Sequence, residues 1–218
     1  MSWVGAILAA GRATRFDPPG AKLRSSLGGR PLVTWSLEAF AATRALAARA
    51  VVVGADGLED LVPSGIVRLQ NPRPERGLAS SLAIAVAWAA SHDARGLVVG
   101  LADQPFIPAS AWDAVAGAPE EADLAVATYA GARANPVRIA RRRFGELPIE
   151  GDVGARGLLA RKELTVVSVP CAGDPMDVDT RRDLARAEER AHEREGGQRW
   201  RSGTHSTYRP AQRPPGVS

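Results

Sequence analysis

Residues 3–16 are WVGAILAAGRATRF, an apolar run that passes directly into a loop of small residues with two arginines. The run from Trp3 to Ala9 is short and is followed by a glycine-containing loop, which predicts a buried strand that enters a turn. Backbone N–H groups at such a turn, with arginine and lysine nearby, suit an anion such as a triphosphate. The alternative is an ordinary strand-to-helix turn with solvated Arg12, Arg15 and Lys22.

Extended and helical segments alternate along the rest of the chain. The predicted strands are 3–9, 51–53, 66–69, 96–101, 124–129, 136–139 and 164–169, and the predicted helices are 31–42, 79–90, 111–116, 153–162 and 180–192. Strands that alternate with helices predict an α/β fold, with a mostly parallel sheet flanked by helices and right-handed crossovers. Ligands of such a fold bind at the carboxyl ends of the strands.

Charge and composition exclude several kinds of protein. The net charge is +4, but residues 196–218 contain four arginines and no acid, so the rest of the chain is neutral. A neutral domain lacks the excess of positive charge that attracts the phosphates of a nucleic-acid backbone, so nucleic-acid binding is not expected of it. No apolar run approaches the roughly 18 residues of a membrane span. With a single cysteine, Cys171, and no secretion signal, the sequence predicts a cytoplasmic protein without a membrane partner.

The apolar pattern stops near Glu195, where Gly, Pro, Ser, Gln and Arg become dominant. We therefore expect one domain over residues 1–194 and a disordered basic tail over residues 195–218.

The segment LADQP, residues 101–105, follows the most hydrophobic predicted strand. A carboxylate at the carboxyl end of a strand can bind a hard cation that bridges phosphates, so Asp103 is the leading candidate for a metal ligand. The alternative is that Asp103 only forms a turn.

The segment NPRPERGLASSL, residues 71–82, marks a loop that becomes a helix. Asn71 offers an amide that could recognise the edge of a base, and Gly77 and Ser81 lie near the start of the helix. Either Ser80 or Ser81 could instead be a helix N-cap.

The segment MDVDT, residues 176–180, places Asp177 and Asp179 two residues apart, on one side of an extended segment. Asp179 is a candidate for a second Mg²⁺ ligand. The alternative is that Asp179 and Asp183 only favour the N-terminus of the last helix electrostatically. Thr180 and Asp183 have the spacing of a capping box.

In this order the segments resemble the MobA-like nucleotidyltransferases, and most closely their molybdenum cofactor cytidylyltransferase branch. The resemblance covers residues 4–192 and also includes GDVGAR at residues 151–156 and DVDTRRDL at residues 177–184. Phe16 stands where the family usually has Met, and Ala134-Asn135-Pro136 stands where it has Gly-His-Pro.

The resemblance implies a Rossmann-like nucleotidyltransferase fold that transfers CMP from CTP to the phosphate of molybdopterin or the molybdenum cofactor, with release of pyrophosphate. Arg15, Lys22 and Asp103 would be catalytic, and Asp103 and Asp179 would hold Mg²⁺. Asp152, Gly154 and Arg156 would face the acceptor. The implied nucleotide contacts are Leu8, Ala9, Ala10, Gly11, Arg15, Lys22, Asn71, Gly77 and Ser81.

The choice of CTP follows from Ala9 and Ala10, since in this family Ala-Ala before the loop glycine accompanies cytosine. Two other functions stay open. The chain could use another NTP or acceptor, such as GTP or a sugar phosphate. It could also be a non-catalytic nucleotide-binding accessory protein in the maturation of a molybdenum hydroxylase, which is the candidate protein partner.

Overall fold

A seven-stranded sheet flanked by helices forms the centre of the protein in the computed structural model, which describes residues 2–18, 21–54 and 58–202. The strands are β1 (Trp3–Ala9), β2 (Ser26–Leu27), β3 (Arg30–Pro31), β4 (Ala48–Val53), β5 (Val67–Gln70), β6 (Gly96–Leu101), β7 (Leu124–Tyr129), β8 (Ala132–Ala140) and β9 (Val166–Pro170). The helices are α1 (Leu32–Ala41), α2 (Leu78–Ser91), α3 (Ala109–Ala116), α4 (Arg156–Leu159) and α5 (Arg181–Ser202). Short 3₁₀ helices lie at Lys22–Arg24, Glu59–Leu61, Pro74–Arg76 and Arg141–Glu146.

The strand order is β5-β4-β1-β6-β8-β7-β9. Strands β5, β4, β1 and β6 run parallel to one another, β8 is antiparallel to both β6 and β7, and β9 is parallel to β7. Leu8 of β1 pairs with Leu101 of β6, and the N–H of Ala102 donates to the carbonyl of Leu8 over 3.1 Å. The loops that follow β1 and β6 therefore leave the same edge of the sheet side by side.

Strand β1 is buried on both faces, which explains its unbroken apolar sequence. Ile7 and Ala9 belong to one core cluster with α1 and α3, while Val4, Ala6 and Leu8 belong to the cluster under α2. The predicted strands at 3–9, 96–101 and 124–129 have the bounds observed in the structure.

Several predicted elements differ in detail. The helix predicted over residues 153–162 is wrong at both ends, because α4 covers only Arg156–Leu159 and Gly154 before it has a φ of +52°. Helix α1 begins one residue after Pro31, which pairs with Ser26 in the β2–β3 ribbon that the sequence did not predict. Helix α5 continues to Ser202, beyond the predicted domain end, and residues 203–218 of the predicted tail lie outside the described residues. Within the described part of the chain, every helix is too short or too polar to cross a membrane.

A third, smaller core connects the loop after β1 to α5. Its buried members are Phe16, Leu27, Leu32, Phe106, Val178, Leu184, Ala187 and Ala191. The ring of Phe16 is only 1% exposed, and the guanidinium of Arg181 lies 4.7 Å from its centre. Because Phe16 and Val178 share this core, the loop that carries Arg15 is held against the segment that carries Asp179.

We expect Phe16→Ala to lower the free energy of unfolding by about 3–5 kcal/mol, because it removes a buried ring from a small core. Urea denaturation followed by circular dichroism measures this change. Phe16→Leu is the matched control and should lose less, since it keeps most of the apolar volume. A loss from Phe16→Ala no larger than that of the control would contradict the supporting role of this core.

Candidate functional site

An open cleft of about 660 Å³ lies at the carboxyl edge of the parallel strands, within the size range of small-molecule sites. The loop after β1, the end of β6, the start of α2 and the segment before α5 all contribute to its wall. Eleven of the residues proposed from the sequence line it: Leu8, Ala9, Ala10, Gly11, Arg15, Lys22, Gly77, Ser81, Asp103, Asp152 and Asp179.

The ammonium group of Lys22 lies between two carboxylates. Its Nζ is 2.6 Å from Oδ2 of Asp103 and 3.1 Å from Oδ1 of Asp179, and the Lys22 side chain is 9% exposed. The Nη2 of Arg15 lies 2.8 Å from the other oxygen of Asp179, on the solvent side. Two cations and two carboxylates from three distant parts of the sequence thus form one chain of ion pairs at the cleft.

Burial and charge act in opposite directions on Lys22. Burial alone would lower the pKa of Lys22, but Asp103 and Asp179 more than offset that effect, so the pKa is raised above its ordinary value. Lys22 is therefore fully charged at neutral pH and presents a fixed positive charge in the cleft. An ammonium has three N–H donors, and two are taken by the carboxylates, which leaves one for a ligand.

Asp103 has a second carboxylate oxygen besides the one that contacts Lys22. Its Oδ1 is buried and has no hydrogen-bond partner within the described part of the chain. A buried carboxylate oxygen without a donor is costly unless a cation or ligand reaches it. Together with Asp179, it gives two hard oxygen ligands facing one cleft, which suits a divalent ion held by one or two carboxylates plus phosphate oxygens.

In the part of the chain that the structure describes, no larger set of metal ligands competes with Asp103 and Asp179. Among residues 2–18, 21–54 and 58–193, no three His, Cys, Asp or Glu side chains come together in a way that could hold an ion. An ion in this cleft would complete its shell from the substrate and water.

Two acids close to the start of α5, Asp179 and Asp183, make different contacts. The hydroxyl oxygen of Thr180 accepts the N–H of Asp183 over 3.2 Å, and the Asp183 carboxylate accepts the N–H of Thr180 over 3.0 Å. This reciprocal pair is the predicted capping box. The hydrogen bond from Thr180 lowers the pKa of Asp183. Asp183 thus holds the helix start, while Asp179 points to Lys22 and Arg15.

Asp177 lies two residues before Asp179 in the sequence, but it does not line the cleft. As a whole residue Asp177 is exposed. The pKa of its carboxyl is nevertheless raised, first by desolvation of that group and then by the negative charge of Asp103. The contacts with the two cations belong to Asp179, which makes Asp179 the better metal-ligand candidate of the two.

Asn71 lies behind the cleft wall. It is 2% exposed, its Nδ2 donates to the hydroxyls of Ser80 and Ser81 over 3.0 and 2.9 Å, and its Oδ1 accepts the N–H of Arg73 over 2.9 Å. Ser81 lines the cleft, whereas Asn71 does not. Asn71 therefore orients Ser81 in this structure.

Helix α2 is not capped by either serine, so the N-cap interpretation of Ser80 or Ser81 is wrong. Its N-cap residue is Gly77, with a φ of +86°, and no side chain of the cap residue bonds to the helix. Ser80 instead donates to the carbonyl of Gly77 over 2.8 Å.

Of the three residues proposed to face the acceptor, only one lines the cleft. Asp152 lines the cleft, whereas Gly154 and Arg156 do not. Gly154 is buried close to the side chain of Leu78, and Arg156 is exposed at the start of α4.

Sequence reasoning did not single out Gln104, although it belongs to the quoted LADQP segment. Gln104 is buried, accepts a hydrogen bond from Asn135 over 3.0 Å and donates to the carbonyl of Pro175 over 3.3 Å. It joins the end of β6 to β8 and to the segment that leads to Asp179. A glutamine directly after Asp103, the candidate metal ligand, is the sequence signal that could have indicated this link.

Known proteins match this chain over most of its length. Residues 5–166 match the model of the MobA-like NTP transferase domain. The molybdenum cofactor guanylyltransferase of Cereibacter sphaeroides is 30% identical over 193 residues, which cover 86% of this chain and 96% of that enzyme. The bifunctional enzyme IspD/IspF of Caulobacter vibrioides is 37% identical over 134 residues, 60% of this chain, and the match spans only 35% of that enzyme.

Solved structures share the fold. The Rv0371c homologue from Mycobacterium sp. strain JC1 has a TM-score of 0.75 at 30% identity, over 88% of this chain and 97% of that one. Rv0371c of Mycobacterium tuberculosis in complex with manganese has a TM-score of 0.71 at 24% identity, over 87% of this chain and 99% of that one. These likenesses confirm the predicted α/β, Rossmann-like fold.

We expect Asp103→Asn to lower the free energy of unfolding at pH 7 by about 1–3 kcal/mol, because the buried ammonium of Lys22 loses one of its two negative partners. Urea denaturation measures the loss. In the double variant Lys22→Met/Asp103→Asn, no cation is left unpaired, so the combined loss should be smaller than the sum of the single losses by about 0.5–3 kcal/mol. Additive losses would show that the two side chains do not interact.

Proposed function

The chain belongs to the MobA-like NTP transferase family, and on that premise we propose that it transfers CMP from CTP to the phosphate of molybdopterin or the molybdenum cofactor, with release of pyrophosphate. The observation that carries the proposal is the contact of Lys22 with Asp103 and Asp179 beside the loop after β1. The contact brings a positive charge and carboxylate oxygens together. A site for a triphosphate with its divalent ion needs both, because the cation neutralises phosphate oxygens and the carboxylates hold the metal.

The triphosphate would lie along the loop after β1. Gly11, Arg12 and Arg15 line the cleft there, together with Lys22. Backbone amides of a tight loop and two or three fixed cations neutralise phosphate oxygens without reorganisation during the reaction. The third N–H of Lys22 is available to donate to such an oxygen.

Asp103 and Asp179 would hold the metal ion, for which Mg²⁺ is our proposal. The Oδ1 of Asp103, which is buried and has no hydrogen-bond partner among the described residues, supports this assignment. A divalent ion neutralises charge on the phosphates and helps to orient them. The fold shared with the manganese complex of Rv0371c is compatible with this proposal.

The reaction would need no side-chain nucleophile. A phosphate monoester with a second pKa near 6 is mostly dianionic at neutral pH. One of its oxygens would attack the α-phosphorus in line, the bond from that phosphorus to the bridging oxygen would break, and pyrophosphate would leave with the electron pair. Arg15 and Lys22 would donate hydrogen bonds to phosphate oxygens and so favour the departure of pyrophosphate.

Ala9 and Ala10 favour cytosine, because in the family that the sequence resembles Ala-Ala before the loop glycine accompanies cytosine, whereas Ala-Gly or Gly-Gly accompanies guanine. GTP is the second candidate, favoured by a specific observation: the relative matched over 96% of its length is a molybdenum cofactor guanylyltransferase. A molybdenum hydroxylase that receives the product is the proposed protein partner.

The deciding experiment incubates the protein with Mg²⁺, molybdopterin, with or without molybdenum, and either CTP or GTP. We expect pyrophosphate release with CTP and a product whose mass equals the acceptor plus CMP. A GMP adduct instead would establish the second candidate. Binding of CTP without pyrophosphate from any acceptor, sugar phosphates included, would favour the accessory function and refute catalysis.

We expect Asp103→Ala and Lys22→Ala each to reduce the rate of pyrophosphate release by about 10²–10³-fold, because each removes a preorganised electrostatic partner of the phosphates. Glu120→Ala is the control, since Glu120 is an exposed acid that pairs with Arg95 and does not line the cleft. Thermal melting of all three variants verifies that they are folded. Turnover near the wild-type rate in either cleft variant would refute the role assigned to it.

A further inference from the structure

We infer that Asp152 is a positioning residue for the nucleotide: it fixes the start of α2 and thereby the wall of the cleft formed by Gly77, Leu78 and Ser81. This inference rests on the proposed function and replaces the expectation that Asp152 contacts the acceptor.

Four contacts join the start of α2 to the segment before α4. The N–H of Leu78 donates to Oδ1 of Asp152 over 3.2 Å, and the N–H of Ala79 donates to the carbonyl of Gly151 over 2.9 Å. The N–H of Gly151 donates to the carbonyl of Arg76 over 2.8 Å, and the side chains of Arg76 and Glu150 form an ion pair. We call residues 76–79 with residues 150–152 the α2 clasp.

The clasp supplies a cap that α2 lacks in its own sequence. The first N–H groups of a helix have no partner within the helix. The cap residue, Gly77, has no side chain, and the hydroxyls of Ser80 and Ser81 are engaged with the carbonyl of Gly77 and the amide of Asn71. The carboxylate of Asp152 and the carbonyl of Gly151 accept the two N–H groups instead.

Gly77 shows how closely the two segments approach. A Cβ atom at this position would lie 2.6 Å from Oδ1 of Asp152 and 2.7 Å from the carbonyl oxygen of Gly151, and the φ of +86° also disfavours other residues. The fit between the loop before α2 and the segment of Asp152 therefore depends on glycine.

The charge of Asp152 also fits a positioning role better than contact with the acceptor. The attacking group of the proposed acceptor is a phosphate, which a carboxylate repels, whereas a helix N-terminus attracts a carboxylate. Gly77, Leu78, Ser81 and Asp152 line the same cleft. Loss of the Asp152 carboxylate would thus release the wall that the nucleoside is proposed to contact.

The test measures binding of Mg²⁺·CTP by isothermal titration calorimetry on the full chain without any acceptor. We expect Asp152→Ala to weaken binding about tenfold, the size of a lost helix cap. Asp152→Asn should bind within about twofold of wild type, because its amide oxygen still accepts the N–H of Leu78. Glu163→Ala is the control, since Glu163 pairs with Arg161 and does not line the cleft.

Hydrogen exchange of the ligand-free proteins provides a second measurement. Asp152→Ala should speed exchange at residues 78–81, whereas Asp152→Asn should not. Unchanged CTP binding or unchanged exchange in Asp152→Ala would overturn the inference, and so would an Asp152→Asn variant that binds CTP as weakly as Asp152→Ala.

If wild type binds GTP but not CTP, the same variants are compared with GTP. If wild type binds neither nucleotide, the proposed function fails and the nucleotide-positioning role fails with it, while the exchange data still decide whether Asp152 holds α2.

Discussion

The ion pairs of Lys22 are the interaction on which the site depends. Asp103 lies 81 residues from Lys22 in the sequence and Asp179 lies 157 residues away, yet both contact the same ammonium group. Two carboxylates this close would repel each other without a cation, and a buried cation would be costly without them. Each of the three segments therefore stabilises the placement of the other two, and the sheet only has to bring them to one edge.

The strands that end at that edge of the sheet could be predicted from the sequence. Strands buried on both faces need unbroken apolar runs, which is why β1, β6 and β7 could be placed from the sequence with their observed bounds. A parallel arrangement then puts the ends of β1 and β6 side by side, so the neighbourhood of Lys22 and Asp103 could be predicted. The resemblance to one family added Asp179, Gly77 and Ser81, which the spacing of residues alone left ambiguous.

The remaining features depend on contacts between residues far apart in sequence. Nothing near Asn71 indicates that its amide is enclosed by two serine hydroxyls and a backbone N–H, and nothing near Phe16 indicates its partners in α5. The helix predicted over 153–162 was too long because apolar periodicity says little about a glycine in a left-handed conformation. The capping box at Thr180 was predictable, because both of its partners are local.

Asp179 and α5 follow all the strands of the sheet in the sequence, and this order has a consequence for biosynthesis. The ribosome releases the strands that carry the cationic loop and Asp103 long before it releases the residues that pair with Arg15 and cover Phe16. Until then the nascent polypeptide has Lys22 with one carboxylate and an uncovered apolar ring. The full chain of ion pairs around Lys22 therefore forms only after residue 179 has left the ribosome, and a transcript truncated before the Asp179 codon encodes a sheet without it.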